Sequence, residues 1–191
     1  MSGPMRGPVP GTSAANGLRR LIRDVPDFPR RGVVFKDITP LLLDPAGLAE
    51  CVRLMAERAP RPDAVMAIES RGFVFGTALA LHWAVPLVPA RKFGKLPGET
   101  VRQVYSLEYG EDTIEIHRNA LAKGQRVSVV DDLLATGGTA SAVTRLVEQL
   151  GARVDSLLFV IELRGLGGRE RLEPLRVEAL IEYDVAGPAE V

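Results

Sequence analysis

Short apolar runs alternate with stretches of helical periodicity along most of the chain. Leu18, Leu21 and Ile22 recur at helical spacing, and Pro26 and Pro29 end that helix in an extended stretch. A short apolar run, residues 33–35, precedes Asp37. Asp44-Pro45 is a helix start, an N-cap residue followed by proline at the first helical position. Leu48, Cys51, Val52 and Met55 then make one apolar helical face. Residues 64–68 form an apolar run short enough for a buried parallel strand. Glu69-Ser70-Arg71-Gly72 breaks it, and a helical stretch follows to about Leu81. Residues 86–90 read as a second buried strand and residues 93–100 as a loop. Residues 104–108 and 113–117 flank Tyr109-Gly110-Glu111-Asp112 as a hairpin. Beyond it come a strand at 126–131, a helix at 138–150, a strand at 154–161, a short helix at 168–172 and a strand at 177–182.

Strands alternating with helices predict an α/β fold, a mainly parallel sheet covered on both faces. Ligands of such sheets bind at the carboxyl ends of the strands. The exits after Ile68, Ala90, Val130 and Ile161 are therefore the places to search. The pattern shows no internal repeat. It divides the chain into a Pro/Gly-rich disordered tail over residues 1–14, one domain over 15–185 and a short tail over 186–191.

Composition removes several function classes. The 191 residues carry 24 basic and 24 acidic side chains, a net charge of zero. That argues against general nucleic-acid binding and against a polybasic membrane anchor. One cysteine, Cys51, excludes an internal disulfide and multi-cysteine metal sites, and two histidines leave little for a His-rich centre. The apolar stretch 73–90 is interrupted by Thr77, His82, Pro86 and Pro89, so a buried helix and strand fit better than a membrane span. The N-terminus lacks the apolar core of a signal peptide. A soluble, cytoplasmic protein is expected.

The strongest chemical signal is Val129-Val130-Asp131-Asp132-Leu133-Leu134-Ala135-Thr136-Gly137-Gly138-Thr139-Ala140. An apolar strand runs into two carboxylates, then into a glycine turn and a new helix. Glycines let successive N–H groups point at one anion, and the helix N-terminus adds partial positive charge. Thr136 and Thr139 add hydroxyl donors. No Gly-Lys-Ser/Thr and no Gly-x-Gly-x-x-Gly follows a strand, so the cup suits a monophosphate better than a triphosphate or a dinucleotide. The acid pair alone reads equally as a turn acid with an N-cap, or as ligands for ribose hydroxyls. At a strand exit the chain turns, which would let both acids face a ligand.

This string resembles the phosphoribosyl-pyrophosphate signature of the type I phosphoribosyltransferases. The chain is further similar to the adenine phosphoribosyltransferases in Pro26-Asp27-Phe28-Pro29, in Gly32-Val33-Val34-Phe35-Lys36-Asp37-Ile38-Thr39-Pro40 and in Ser70-Arg71-Gly72-Phe73-Val74-Phe75-Gly76. It also shares Arg91-Lys92-Phe93-Gly94-Lys95-Leu96-Pro97 and Tyr105-Ser106-Leu107-Glu108-Tyr109-Gly110. The resemblance implies the type I fold with a small N-terminal hood and a mobile lid loop. It implies transfer of ribose 5-phosphate from phosphoribosyl pyrophosphate to N9 of adenine, giving AMP and pyrophosphate with Mg²⁺, by a homodimer.

Site roles follow from the resemblance. Ala135, Thr136, Gly137, Gly138 and Thr139 would hold the 5′-phosphate, and Asp131 and Asp132 the ribose hydroxyls. No direct protein ligand to Mg²⁺ is expected; the ion would be held by the pyrophosphate and ribose, with water bridges to these two acids. Arg71, Lys92 and Lys95 would meet the pyrophosphate, and fixed positive groups at a developing anion are a large catalytic term. Only four of the basic residues are lysines (Lys36, Lys92, Lys95 and Lys123), and three lie in the matched segments. Arg91 reads as a ligand or as a structural partner. Glu108 would exchange a proton at N7 of the base, although alone it reads as a hairpin surface acid. Val34, Phe35, Lys36 and Leu133 would form the adenine site, with Lys36 standing where the family commonly has arginine. Leu133 and Leu163 read equally as core. Residues 93–103 read as the lid. A 6-oxopurine transferase and a non-catalytic phosphoribosyl-pyrophosphate sensor remain as alternatives.

Overall fold

A computed structural model describes residues 12–106 and 110–185. The chain divides into two compact units between Cys51 and Val52.

The first unit begins with helix α1 (Thr12–Arg19), which starts inside the stretch expected to be tail and ends before Leu21. Strands β1 (Arg23–Pro26) and β2 (Val34–Asp37) pair antiparallel, with Asp24 opposite Lys36 and Val25 opposite Phe35. Pro26 ends β1, an edge strand of the two-stranded sheet, where proline is tolerated. The Asp37 carboxylate accepts the Thr39 N–H at 2.9 Å and covers the start of α2 (Thr39–Leu43). Bonds from Thr39 and from Arg23 hold that carboxyl down at about 2. Asp44 caps α3 (Pro45–Glu57) as its sequence predicts, accepting the Gly47 N–H at 2.8 Å. Within α3, Cys51 and Met55 are buried, and burial pushes the Cys51 thiol up to about 12.

The second unit is a seven-stranded sheet in the order β5-β6-β4-β3-β7-β8-β9. Its strands are β3 (Ala64–Ile68), β4 (Leu87–Lys92), β5 (Thr100–Ser106), β6 (Glu111–His117), β7 (Arg126–Leu134), β8 (Arg153–Arg164) and β9 (Val177–Asp184). The five strands β4, β3, β7, β8 and β9 run parallel, and the β5–β6 hairpin adds antiparallel strands at one edge. All five residues of β3 are buried, as a central parallel strand requires. Alternate β3 side chains serve opposite faces. Met66 and Ile68 join Val127, Val129, Leu157 and Phe159 in a core with Val143, Leu146 and Val147 of α5 (Gly138–Gln149). On the other face Ala67 lies against Gly76 of α4 (Gly72–Trp83). The apolar stretch is thus a helix and a strand, and among the described residues no helix is long and apolar enough to cross a membrane. A short helix, α6 (Gly168–Arg171), precedes β9.

Two boundaries differ from the sequence pattern in ways that bear on the site. Strand β5 begins at Thr100 rather than Val104, because the hairpin register continues from Tyr105 opposite Asp112 down to Thr100 opposite His117. The latter part of the expected lid, from Thr100 to Gln103, is therefore sheet. Strand β7 runs on to Leu134, with Asp131 opposite Phe159 and Leu133 opposite Ile161. The chain does not turn at the acid pair as expected.

Candidate active site

The end of β7 and the start of α5 enclose a cavity of about 100 Å³ lined by Asp131, Leu133, Leu134 and every residue from Ala135 to Ala140, with Phe159 beneath. Gly137 makes the turn. Its φ is +73°, and a Cβ there would sit 2.8 Å from the Gly168 carbonyl oxygen. Glycine satisfies both demands, the left-handed backbone and the close approach. The Ser141 N–H donates to the Gly137 carbonyl at 2.9 Å, so the helix starts directly from the turn. Free N–H groups at a helix start beside such a cavity are suited to an anion. The predicted cup residues Ala135, Thr136, Gly137, Gly138 and Thr139 are thus brought together with Asp131 and Leu133.

The corner after β3 reaches the same place. Gly72 packs so closely that a Cβ would lie 2.8 Å from the Val130 carbonyl oxygen and 2.9 Å from Asp131 Oδ1. Next to it, Arg71 Nε lies 3.1 Å from Asp132 Oδ2. Although β7 passes straight through the pair, both carboxylates meet the Arg71–Gly72 corner. Asp131 Oδ1 also accepts the Asp132 N–H at 2.8 Å. Burial pushes the Asp131 carboxyl well up, helped by the Asp132 charge. Burial likewise raises Asp132, opposed by Arg71. Buried Asp132 Oδ2 makes no aligned hydrogen bond despite its ion pair. Two acids kept short of counter-charge form a site prepared for hydroxyl donors or a cation.

Two cations at the end of β4 are held by carboxylates that sequence reasoning missed. Arg91 Nε donates to Glu69 Oε2 at 2.7 Å, and Arg91 Nη1 donates to the Lys95 carbonyl at 3.0 Å. Arg91 is thus tied structurally. Lys92 Nζ lies 3.0 Å from Asp112 Oδ2, which raises the lysine. Burial pushes Asp112 up, but bonds from Lys92, Thr113 and Tyr105 outweigh it and leave the carboxyl below its ordinary range. Lys95 is exposed and makes no ion pair among the described residues. Neither Glu69 nor Asp112 carries a motif signal. Both are identified only by the cations that the sheet register sets beside them.

Three predicted adenine residues belong to the first unit. Val34 is 48% exposed, and Phe35 meets Phe28 edge-on with ring centroids 5.2 Å apart. Lys36 is buried, with Nζ 2.7 Å from Asp24 Oδ1 across the β1–β2 pair. That lysine is spent on a structural bond. Leu163 borders a separate cavity with Glu162 and Arg169. Glu108, expected to act on the base, lies outside the described residues, as do Tyr109, residues 1–11 of the expected N-terminal tail and all of residues 186–191. No group of three or more His, Cys, Asp or Glu among the described residues is placed to hold a metal ion.

Comparison with known proteins agrees with this geometry. The phosphoribosyl transferase domain family matches residues 39–176. An adenine phosphoribosyltransferase of Carboxydothermus hydrogenoformans is 52% identical over 168 residues, covering 87% of this chain and 99% of that protein. The crystal structure of adenine phosphoribosyltransferase from Thermoanaerobacter pseudethanolicus superposes with a TM-score of 0.86 at 46% identity, over 88% of this chain and 99% of that one. The enzyme from Saccharomyces cerevisiae, solved with an imino-altritol bisphosphate and adenine, has a TM-score of 0.82 at 41% identity over 88% and 98% of the chains. With a phosphate-sized cup, an acid pair and an arginine corner at adjoining strand exits, the chain belongs to the adenine phosphoribosyltransferase family of phosphoribosyl transferases.

Proposed function

We infer that the chain transfers ribose 5-phosphate from phosphoribosyl pyrophosphate to N9 of adenine, releasing AMP and pyrophosphate in purine salvage. The observation that carries this reading is the convergence of the Ala135–Thr139 cup with Asp131, Asp132 and Arg71. Breaking the bond to pyrophosphate leaves positive charge on the ribosyl carbon and negative charge on the leaving group. The cup grips the 5′-phosphate, and the two acids fix the ribose hydroxyls. Arg71, Lys92 and Lys95 neutralise the departing pyrophosphate, in positions set before the reaction begins. Asp132 and Asp112 hold Arg71 and Lys92 until an anion arrives. Val34 and Phe35 contact the adenine, and Glu108 manages the proton at N7.

Mg²⁺ fits the donor set. Asp131 and Asp132 offer only hard oxygens, their charge is poorly compensated, and Asp132 Oδ2 lacks a hydrogen bond. The ion would sit by these acids and screen the pyrophosphate charge.

A homodimer is part of the proposal. Apolar residues surround α4 on all sides, yet Leu81 is 77% exposed, and Val74 and nearby Leu87 are also open. A helix apolar all round calls for cover on each face. This face is a better candidate than the α3 stripe, where Cys51 and Met55 are already buried. A cytoplasmic location completes the proposal and is checked by cell fractionation.

The deciding experiment follows product formation from phosphoribosyl pyrophosphate with adenine, hypoxanthine and guanine, with and without Mg²⁺. Mg²⁺-dependent AMP formation confined to adenine is expected. Preference for a 6-oxopurine would move the specificity, and no product with any base would favour a sensor.

A further inference from the structure

Glu115 stands in β6 and has no part in the chemistry just described. It is 2% exposed, buried in the strand next to the edge of the sheet. Oε1 accepts the N–H of Gly94 at 2.9 Å and of Leu96 at 3.2 Å, and Oε2 accepts the Thr100 hydroxyl at 3.0 Å. Its main chain is occupied separately, in register with Arg91 on one side and Arg102 on the other. The side chain is therefore not needed for strand pairing.

Around it the chain folds one turn. Lys95 N–H donates to the Lys92 carbonyl at 3.2 Å, and Phe93 N–H donates to the Thr113 carbonyl at 2.9 Å. Burial pushes the Glu115 carboxyl up, and the bonds from Leu96, Thr100, Gly94 and Lys95 outweigh it, so the group stays ionised. An ionised carboxylate is costly to bury unless donors surround it. Here the donors are the backbone of the segment between Lys92 and Leu96. The carboxylate thus fixes where that backbone runs, and with it the origin of both lysine side chains.

We propose that Glu115 is a positioning residue for the pyrophosphate half of the donor: by gathering the N–H groups of Gly94 and Leu96, it holds the turn that presents Lys92 and Lys95. It touches no substrate. The proposal rests on the reading of these lysines as pyrophosphate ligands.

The test uses Glu115→Ala, Glu115→Gln and Thr100→Val in the full chain, with calorimetric binding of pyrophosphate and of ribose 5-phosphate in Mg²⁺. Glutamine keeps one oxygen for the two N–H groups, and its amide can donate to the Thr100 hydroxyl, which then turns to accept. Glu115→Gln should therefore bind pyrophosphate within about threefold of the wild type. Glu115→Ala should weaken pyrophosphate and raise KM for phosphoribosyl pyrophosphate by about 10–100-fold, the scale seen when a carboxylate that orients metal ligands is lost. Ribose 5-phosphate affinity should stay within about twofold, because its cup lies on other elements. Thr100→Val keeps the carboxylate and should shift pyrophosphate alone by a smaller factor, which preserves the test if Glu115→Ala fails to fold. Equal weakening of both ligands, or unchanged pyrophosphate affinity in folded Glu115→Ala, would overturn the proposal. Lys92→Ala and Lys95→Ala are measured alongside. If they weaken pyrophosphate and Glu115→Ala does not, the proposal alone fails. If they do not, the lysine reading fails and takes the proposal with it.

Discussion

Replacing Gly137 by alanine separates what the turn before α5 demands of its backbone from what it demands of space. Alanine at φ +73° pays the left-handed penalty, about 1–2 kcal/mol. Its Cβ would also lie 2.8 Å from the Gly168 carbonyl oxygen, a backbone atom that cannot swing aside. Overpacking of that kind costs about 1–3 kcal/mol. The sum is about 2–5 kcal/mol, against the ~5–15 kcal/mol that holds a domain together. At about 2–4 °C per kcal/mol for a chain of this size, the thermal midpoint falls by roughly 4–20 °C. Gly124→Ala is the control. Its φ is +83° with nothing within 4 Å of the added Cβ, so only the backbone penalty applies. It should lose about 1–2 kcal/mol, or roughly 2–8 °C. The alanine at 137 can escape strain by rotating out of the left-handed region, but rotation redirects the N–H groups at the start of α5. Ribose 5-phosphate should then bind at least about tenfold more weakly, the equivalent of one lost charge-assisted hydrogen bond. Differential scanning calorimetry and titration calorimetry read the two effects. Equal midpoints for the two variants, or wild-type ribose 5-phosphate affinity in Gly137→Ala, would refute the reasoning.

Other outcomes follow from the same structure. Asp131 is raised by burial, so the folded chain binds more protons there than the unfolded chain. This contribution to stability is lost as pH rises from the ordinary carboxyl range through the raised one. Asp131→Asn should thus melt higher than the wild type at pH 7, with the gap closing near pH 4, while turnover falls; a gap independent of pH would contradict this. Glu108→Ala should lower kcat by about 10²–10⁴ with an unchanged thermal midpoint, and near-wild-type turnover would remove its assigned role. Leu81→Glu places a charge on the exposed apolar face of α4 and should convert a dimer to a monomer in analytical ultracentrifugation. An unshifted sedimentation coefficient would direct the search to another face.

The sequence by itself determined most strands and helices of the large sheet and the glycine turn before α5, because each is written in neighbouring residues. The buried run at β3, the Asp44-Pro45 helix start and the Thr-Gly-Gly-Thr turn depend on local backbone preference and local burial. Such signals survive in a string read without neighbours. The reach of β7 is not written there: its acid pair looks like a strand end, and only pairing with β8 carries the strand to Leu134. The same applies to β5, which takes in polar Arg102 and Gln103 because β6 supplies partners opposite them.

Tertiary structure alone decided what each cation is held by. Arg91 finds Glu69 across 22 positions, Lys92 finds Asp112, and the lysine turn closes on Glu115 about 20 positions away. Lys36 is claimed by Asp24 through the register of β1 and β2 rather than by any motif. Nothing in the spacing of these acids marks them, since each resembles an ordinary solvated charge until the strands are ordered. Sheet order and register set which side chains become neighbours, and burial then makes an ionised group depend on the partner it meets.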